Sequence, residues 1–248
     1  RIFKVEQQYG KGEVYSNIEL AHGIFEMNIK GDFKGKPGQF YMLRAWDIEP
    51  FLSRPISICD ISEDAITFLY EVKGKGTDIF SKLHKGDSIY LLGPLGNGFE
   101  IEEKGNAAIV SGGIGIAPMV YLAKSLKCKI DIYAGFRSEP YILNKFQDHV
   151  ENIYISTENG AAGHKGYITE LFNPEKYSMV ISCGPAIMME KVVDMCQNKH
   201  VPIYISMEKR MACGFGACLG CTIETTSGMK RVCKDGPVFL GEEVITYD

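Results

Sequence analysis

The pattern of apolar and polar positions changes near residue 107 of the 248-residue chain. Before that point, short runs rich in Ile, Val, Phe, Tyr and Leu are separated by Gly and Pro turns, which is typical of an antiparallel barrel or sandwich. A short helix is predicted at 76–83, where a threonine resembles an N-cap. The predicted strands are 15–29, 39–45, 55–60, 65–72 and 88–92.

Beyond residue 107, continuous apolar runs alternate with segments of helical period, which indicates a parallel sheet flanked by helices. The predicted strands are 107–110, 130–134, 153–156 and 179–182, and the predicted helices are 119–126, 141–149 and 186–199; the segment 204–208 leads into the cysteine module. We therefore predict an α+β multidomain chain. It has an antiparallel β-barrel domain at 1–102, an α/β parallel-sheet domain at 103–207 and a small C-terminal module at 208–248.

Composition and charge narrow the function classes. A hydrophobic content of 45%, a charged content of 23% and a net charge of −4 are ordinary for a globular protein and give no indication of nucleic-acid binding. No apolar stretch approaches the ~20 residues that a membrane span needs, and no secretion signal is recognisable at the start. We expect a cytoplasmic protein whose thiols stay reduced and available to metal.

Four of the eight cysteines lie in the C-terminal module. Cys213, Cys218, Cys221 and Cys233 have the spacing C-x4-C-x2-C-x11-C, and the first three match the run that holds [2Fe–2S] clusters in plant-type ferredoxins. Two alternatives remain open. Structural zinc also takes four cysteines, although usually as two C-x2-C pairs, and disulfides are typical of small secreted chains.

The glycines among these cysteines have a physical purpose. Gly214, Gly216 and Gly220 can adopt positive φ and let backbone N–H groups approach sulfur closely. Such N–H···S bonds stabilise an anionic cluster.

A glycine-rich turn lies between a predicted strand and a predicted helix. Gly112, Gly113 and Gly115 could bring backbone N–H groups to a pyrophosphate at the helix start. The turn does not have the G-x-G-x-x-G spacing, so a simple tight turn remains an alternative.

Two segments of the first domain are candidate anion sites. Arg54 and Ser57, separated by the rigid Pro55, can bind a phosphate. Gly76 and Thr77 open the short helix and offer a second position. A solvated arginine and a simple helix cap are the alternatives.

A third candidate follows the predicted strand 179–182. Cys183 and Gly184 lie at the carboxyl edge of the sheet, where α/β proteins bind ligands. A buried cysteine followed by a helix-breaking dipeptide is the alternative.

The order of these motifs resembles the ferredoxin–NAD(P)+ reductase superfamily. The resemblance implies that the barrel binds FAD and that the sheet domain binds NAD. The implied FAD-binding residues are Arg54, Pro55, Ile56, Ser57, Leu69, Tyr70, Glu71, Gly76 and Thr77. The implied nucleotide-side residues are Gly112, Gly113, Gly115, Cys183 and Gly184. Arg137 is a candidate for a 2′-phosphate contact that would favour NADP.

The C-terminal cysteine module is similar to that of the electron-transfer subunits of dihydroorotate dehydrogenase B. This resemblance implies FAD, one [2Fe–2S] cluster held by the four cysteines, and NAD+ as acceptor. It also implies a partner catalytic subunit that carries FMN, in a heterotetramer of two plus two that serves UMP synthesis, so that no catalytic residue for dihydroorotate is expected in this chain. The alternatives are a flavin/iron–sulfur subunit of an NAD(P)H–ferredoxin oxidoreductase, hydrogenase or sulfide dehydrogenase, and a binding protein with a zinc-stabilised tail.

Overall fold

A computed structural model describes residues 8–101 and 105–247. Its first six strands are β1 (Gln8–Ala21), β2 (Ile24–Lys30), β3 (Phe40–Arg44), β4 (Arg54–Ile61), β5 (Ala65–Glu71) and β6 (Ser88–Leu95). They pair antiparallel and close into a barrel in the order β1-β2-β5-β4-β3-β6. The predicted antiparallel barrel is confirmed.

The prediction of one strand over 15–29 is wrong, because the chain reverses within it. β1 and β2 form a hairpin in which Ala21 pairs with Ile24. Gly23 adopts a φ of +72° in the turn between them. A residue without Cβ takes this conformation at little cost, so the chain can turn in two residues.

The barrel strand β3 is covered on both faces. Its side chains alternate, as in any strand. Tyr41 and Leu43 belong to the barrel core, whereas Phe40 and Met42 pack outward among residues of the second sheet and the cysteine segment. The helix α1 (Lys75–Ser81) follows β5 and is also held by this core.

The second sheet contains β7 (Asn106–Gly112), β8 (Lys129–Phe136), β9 (Asn152–Thr157), β10 (His164–Lys165), β11 (Met179–Cys183) and β12 (Ile203–Ser206). All six are parallel, in the spatial order β10-β9-β8-β7-β11-β12. The predicted parallel sheet is confirmed.

Two of the three helices predicted for this half are present, as α2 (Ala117–Ser125) and α3 (Ala186–Gln197). The helix predicted at 141–149 is wrong except for one 3-10 turn, Leu143–Phe146. Ile142 has a φ of +62° directly before that turn. A β-branched residue in the left-handed region cannot continue a right-handed helix, so the segment stays irregular.

The C-terminal segment does not stand apart from the sheet. It forms a hairpin of β13 (Thr222–Thr225) and β14 (Gly228–Arg231), a short helix α4 (Val232–Asp235) and β15 (Val238–Leu240). β15 pairs antiparallel with β12 and becomes the seventh strand of the second sheet. The boundary predicted between residues 102 and 103 falls outside the described residues.

The barrel and the second sheet meet through α2. Leu69 on the outside of the barrel packs in one apolar cluster with Val120 of α2. Lys124 of α2 donates to both carboxylate oxygens of Asp60, at 2.8 and 2.7 Å. The barrel wall that carries β4 and β5 is thereby held against the sheet domain. In the part of the chain that the structure describes, no helix is long and apolar enough to span a membrane.

Candidate functional site

The first predicted flavin segment begins at Arg54, the first residue of β4, at one end of the barrel that we call its mouth. A Cβ added to Gly76 would lie 2.6 Å from Nε of Arg54, so glycine is what allows the helix start to approach this guanidinium. Nη1 of Arg54 donates to the carbonyl of Leu52. The pKa of the Arg54 guanidinium is lowered by burial, which indicates a cation that is already partly removed from water.

The side chain of Thr77 is used by the helix itself. Its hydroxyl accepts hydrogen bonds from the backbone N–H groups of Lys73 (2.9 Å) and Gly74 (3.3 Å) and donates to the carbonyl of Gly74 (3.1 Å). Contact between Thr77 and a cofactor would therefore come from its backbone.

The other residues of the β4 segment alternate between two faces. Ile56 packs on the barrel core. Pro55 and Ser57 pair with Met42 and Phe40 of β3, whose side chains point outward. Cross-strand partners share a face of the sheet, so Pro55 and Ser57 lie on the outside of the barrel.

The residues of β5 that are predicted to contact FAD also point to opposite faces of their strand. Tyr70 is 1% exposed and points into the barrel, where its hydroxyl donates to Asn17 Oδ1 at 3.0 Å. Leu69 faces the sheet domain. Glu71 lies at the end of the strand and forms an ion pair with Lys73 at 2.9 Å.

The nucleotide-side residues meet at the point where the strand order reverses. β8, which follows β7 in the chain, pairs with one side of β7, whereas the later strand β11 pairs with its other side. Such a switch point is where α/β sheets bind ligands. A Cβ on Gly115 would lie 2.5 Å from the Cys183 carbonyl oxygen, and one on Gly184 would lie 2.8 Å from Gly112 N. The two loops therefore touch backbone to backbone.

Gly113 differs from its neighbours in this loop. It has a φ of +53°, and no atom lies within 4 Å of an added Cβ. A 3-10 turn, Gly113–Ile116, leads from it into α2.

Arg137, just past β8, lies exposed at the carboxyl end of its strand.

Glu208 lies near the predicted nucleotide-side residues, a proximity that the sequence did not reveal. It follows β12 and its side chain is exposed to solvent, although many protein atoms, including the charged groups of Glu71 and Lys73, surround it. Burial raises the pKa of its carboxyl; Lys73 opposes the shift and Glu71 adds to it. The negative charge of Glu208 also acts on Cys183. The carboxylate of Glu208 therefore lies near both the end of β5 and the switch point of the sheet.

Cys183 itself is 1% exposed. Burial, followed by the charge of Glu208, raises the pKa of its thiol, and the hydroxyl of Ser206 opposes the shift. Among the described residues, the nearby hydroxyls of Ser111 and Ser182 are buried without a hydrogen-bond partner. The carboxyl edge of the sheet therefore holds unsatisfied polar groups, which is typical of a ligand site.

The four C-terminal cysteines interact with one another as two neighbouring pairs. The thiol of Cys213 interacts with that of Cys218 and the thiol of Cys221 with that of Cys233, and the charge of Cys213 also acts on Cys233. Within the described ranges, no three Cys, His, Asp or Glu side chains converge on one point that could hold a single metal ion.

Backbone N–H groups point at two of these sulfurs. The amide of Ala217 donates to Cys213 Sγ at 3.3 Å, and that of Cys233 donates to Cys221 Sγ at 3.4 Å. Burial alone raises the pKa of Cys213, but hydrogen bonds from Cys218, Phe215 and Ala217 outweigh it and lower that pKa to about 6. The loop therefore favours a thiolate, the form that binds metal.

Backbone conformation partly matches the prediction for the glycines of this loop. Gly214 and Gly216 have φ values of +79° and +89°. The third positive φ, +61°, belongs to Leu219 rather than to Gly220.

The cysteine loop touches the barrel strand that neighbours the flavin segment. A Cβ on Gly214 would lie 2.6 Å from Met42 Cγ. Met42 of β3 in turn pairs with Pro55 of β4. Because neighbouring strands are ~4.8 Å apart, the cysteine loop and the predicted flavin segment are separated by a single strand.

Comparison with known proteins agrees with this arrangement. Residues 208–245 match the family model described as the iron–sulfur cluster binding domain of dihydroorotate dehydrogenase B. The solved structure of an NADH-dependent reduced ferredoxin–NADP oxidoreductase, studied for flavin-based electron bifurcation, has a TM-score of 0.86. It is 30% identical and covers 94% of this chain and 89% of its own. A ferredoxin–NADP+ reductase from Neisseria gonorrhoeae with bound FAD and NADP, at 18% identity over 77% of this chain and 91% of its own and a TM-score of 0.62, shares the fold.

Two curated relatives match nearly the whole chain. The dihydroorotate dehydrogenase B (NAD+) electron transfer subunit of Clostridium acetobutylicum is 56% identical over 98% of this chain and 100% of its own. The subunit of the same name from Caldanaerobacter subterraneus subsp. tengcongensis is 41% identical over 95% and 98%. The chain therefore belongs to the family of dihydroorotate dehydrogenase B (NAD+) electron transfer subunits.

Proposed function

We propose that this chain carries electrons to NAD+ from a partner subunit, which oxidises dihydroorotate on its FMN. Its path runs through a [2Fe–2S] cluster in the cysteine segment and through FAD between the barrel and the second sheet. The observation that carries the proposal is the single strand β3, which separates the cysteine loop at Gly214 from the β4 segment at Pro55. A one-electron site and a flavin site so close together suit electron transfer between them.

The cysteine segment fits a two-iron cluster. Each iron of such a cluster takes two cysteine thiolates, and the thiols here lie as two pairs, Cys213 with Cys218 and Cys221 with Cys233. The N–H groups that already point at Cys213 and Cys221 would stabilise the anionic cluster.

The barrel mouth fits the pyrophosphate of FAD. Arg54 offers guanidinium donors next to Gly76, where a Cβ would fill the space. Pro55 and Ser57 would lie along the flavin on the face shared with Met42. When bound, FAD supplies the conversion between single electrons and the hydride that NAD+ accepts.

The switch point fits the nicotinamide nucleotide. Gly112, Gly113 and Gly115 would let the backbone approach its pyrophosphate at the start of α2. Cys183, kept neutral by its surroundings, would offer an uncharged surface beside the reacting ring, with Glu208 at the edge of the cleft.

The partner follows from the family to which the chain belongs, because an electron transfer subunit needs a catalytic subunit. We infer an assembly of two copies of each chain. We also infer that it works in the cytoplasm, where thiols stay reduced until they bind iron.

Reconstitution with the partner tests the proposal. The chain alone should show flavin and [2Fe–2S] absorption and should oxidise NADH with artificial acceptors, without forming orotate from dihydroorotate. Addition of the FMN subunit should make NAD+ reduction depend on dihydroorotate. A colourless, zinc-containing protein, or orotate formation by this chain alone, would contradict the proposal. Reduction of ferredoxin but not of NAD+ in the complex would favour the ferredoxin oxidoreductase alternative.

A further inference from the structure

The only tryptophan of the chain lies beside the predicted FAD pyrophosphate site. Trp46 follows β3, is 9% exposed, and stacks on Phe80 of α1 with ring centroids 5.5 Å apart. Its carbonyl accepts a hydrogen bond of 2.8 Å from Nε of Arg44. Backbone and ring are both held, so the indole is a fixed surface rather than a mobile side chain.

Arg54 rests on this surface. Its guanidinium carbon lies 5.3 Å from the centroid of the Trp46 ring, a distance typical of a cation–π contact. An added Cβ at Gly76 would lie 2.6 Å from Arg54 Nε and 2.9 Å from Trp46 Cη2. The guanidinium is therefore confined between the indole and the start of α1.

Within the described residues, the indole makes its contacts through its face. Among the described residues, Trp46 Nε1 is buried and has no hydrogen-bond partner. A buried unsatisfied donor has a free-energy cost, so the ring at this position stabilises the site through its stacking contacts. Phenylalanine could supply the same face.

The guanidinium of Arg54 keeps donors available. Nη1 donates to the carbonyl of Leu52, whereas Nε and Nη2 make no hydrogen bond to another residue in the described part of the chain. Arginine carries its donors in a rigid plane, so fixing the plane fixes the direction of every N–H.

We propose that Trp46 is a positioning residue for FAD binding: its ring fixes the plane of Arg54 so that the remaining N–H groups point at the pyrophosphate. This inference rests on the proposed FAD site. A preorganised arginine strengthens binding because less side-chain freedom is lost when the phosphates arrive.

The test is a titration of flavin-free full-length chain with FAD and, separately, with riboflavin, which lacks the pyrophosphate. Flavin fluorescence reports each dissociation constant. We expect Trp46→Leu to weaken FAD by about tenfold, within the range of a partly desolvated cation–π contact, and riboflavin by less than twofold. Trp46→Phe should stay within about threefold of wild type for FAD, because an aromatic face remains.

Two further variants separate positioning from general destabilisation. Phe68→Leu, an aromatic-to-leucine change in the same barrel core, should leave the ratio of the FAD and riboflavin constants unchanged. Trp46→Leu combined with Arg54→Ala should bind FAD no more weakly than Arg54→Ala alone, because the indole acts through the arginine. If Trp46→Leu does not fold, Trp46→Met, which fills more of the ring volume, takes its place.

The outcomes distinguish this inference from the proposed function. Equal weakening of FAD and riboflavin by Trp46→Leu, an additive double variant, or no rescue by Trp46→Phe would overturn the role of Trp46 and leave the FAD site intact. If Arg54→Ala binds FAD as tightly as wild type, the FAD site at Arg54 is wrong, and the role of Trp46 fails with it.

Discussion

The cysteine segment and the sheet switch point both place cysteine beside glycine, with opposite electrostatic results. In the cysteine segment, backbone N–H groups converge on Cys213 and lower its pKa to about 6 despite the burial that raises it. At the switch point, burial and the charge of Glu208 raise the pKa of Cys183. The donors that face a sulfur, set against burial and neighbouring thiols, decide its pKa: within the same cysteine segment, burial and the Cys221 thiol raise the pKa of Cys233 to about 12.

The two regions also differ in how they face solvent. Cys218 is exposed, and the neighbouring side chains of Phe215 and Leu219 are 49% and 62% exposed. Cys183 is buried, and its own backbone carbonyl forms one side of the contact between the two loops. This contrast suits an exposed entry point for electrons from the partner at the cysteine segment and an enclosed site for hydride transfer at the switch point.

The largest expected effect comes from replacing a proposed ligand in the cysteine segment. Cys218→Ser should lose nearly all iron, because a hydroxyl is a poor substitute for a soft thiolate, and should keep FAD, because the Arg54 site lies across β3. Iron analysis and the flavin content of the purified protein measure both. Cys128→Ser, outside the segment, is the control and should keep both. A variant that loses flavin as readily as iron would show that the two sites are not separate.

The next effect concerns the thiols themselves. In protein prepared without iron, Cys213 should react with iodoacetamide at neutral pH and Cys183 should not. The Cys213 pKa of about 6 lies below its usual value, so its thiolate, the reactive form, should increase as the pH rises through about 6 and be nearly complete at pH 8. Burial and a raised pKa protect Cys183. Mass spectrometry of peptides after timed labelling, from pH 5 to pH 8, measures both; comparable labelling of the two thiols would contradict the contrast.

A third prediction tests the contact between the loops at the switch point. Gly115→Ala should lower the free energy of unfolding by roughly 1–3 kcal/mol, the usual cost of overpacking, because the new Cβ would lie 2.5 Å from the Cys183 carbonyl oxygen. It should also weaken NAD+ binding. Gly113→Ala, where nothing lies within 4 Å but φ is +53°, isolates backbone strain and should cost about 1 kcal/mol. Urea unfolding measures both; an equal loss in the two variants would mean that the loop contact is unimportant.

The sequence was informative where the signal is local. Short apolar runs between Gly and Pro turns predicted the barrel, continuous apolar runs alternating with segments of helical period predicted the parallel sheet, and the spacing of the cysteines predicted the ligand set that we propose. Residue-level contacts were harder. Tyr70 carries a motif position but points into the barrel, because a shift of one residue along a strand reverses the face.

Contacts between distant segments could not be predicted. Glu208 approaches Cys183 only because β12 and β11 are neighbours in the sheet. Trp46 becomes relevant because α1 and β4 bring Phe80 and Arg54 to it. Such pairings depend on strand order, for which a single sequence carries little signal.

The smallest expected effect tests how the cysteine loop rests on β3. Gly214→Ala would place a Cβ 2.6 Å from Met42 Cγ at a φ of +79°, whereas Gly228→Ala has a φ of +103° and open space. Both variants should lose about 1 kcal/mol to backbone strain, but only Gly214→Ala should also lose part of its iron, because the loop must move off the barrel.

The double variant Gly214→Ala/Met42→Ala decides the cause. Removing the methionine side chain makes room for the new Cβ, so iron content should recover while the backbone strain remains. If iron stays low in the double variant, conformational strain in the loop, and not its contact with β3, is what holds the cluster segment in place. The proximity of the cysteine loop to the predicted flavin segment would then depend only on the pairing of β3 with β4.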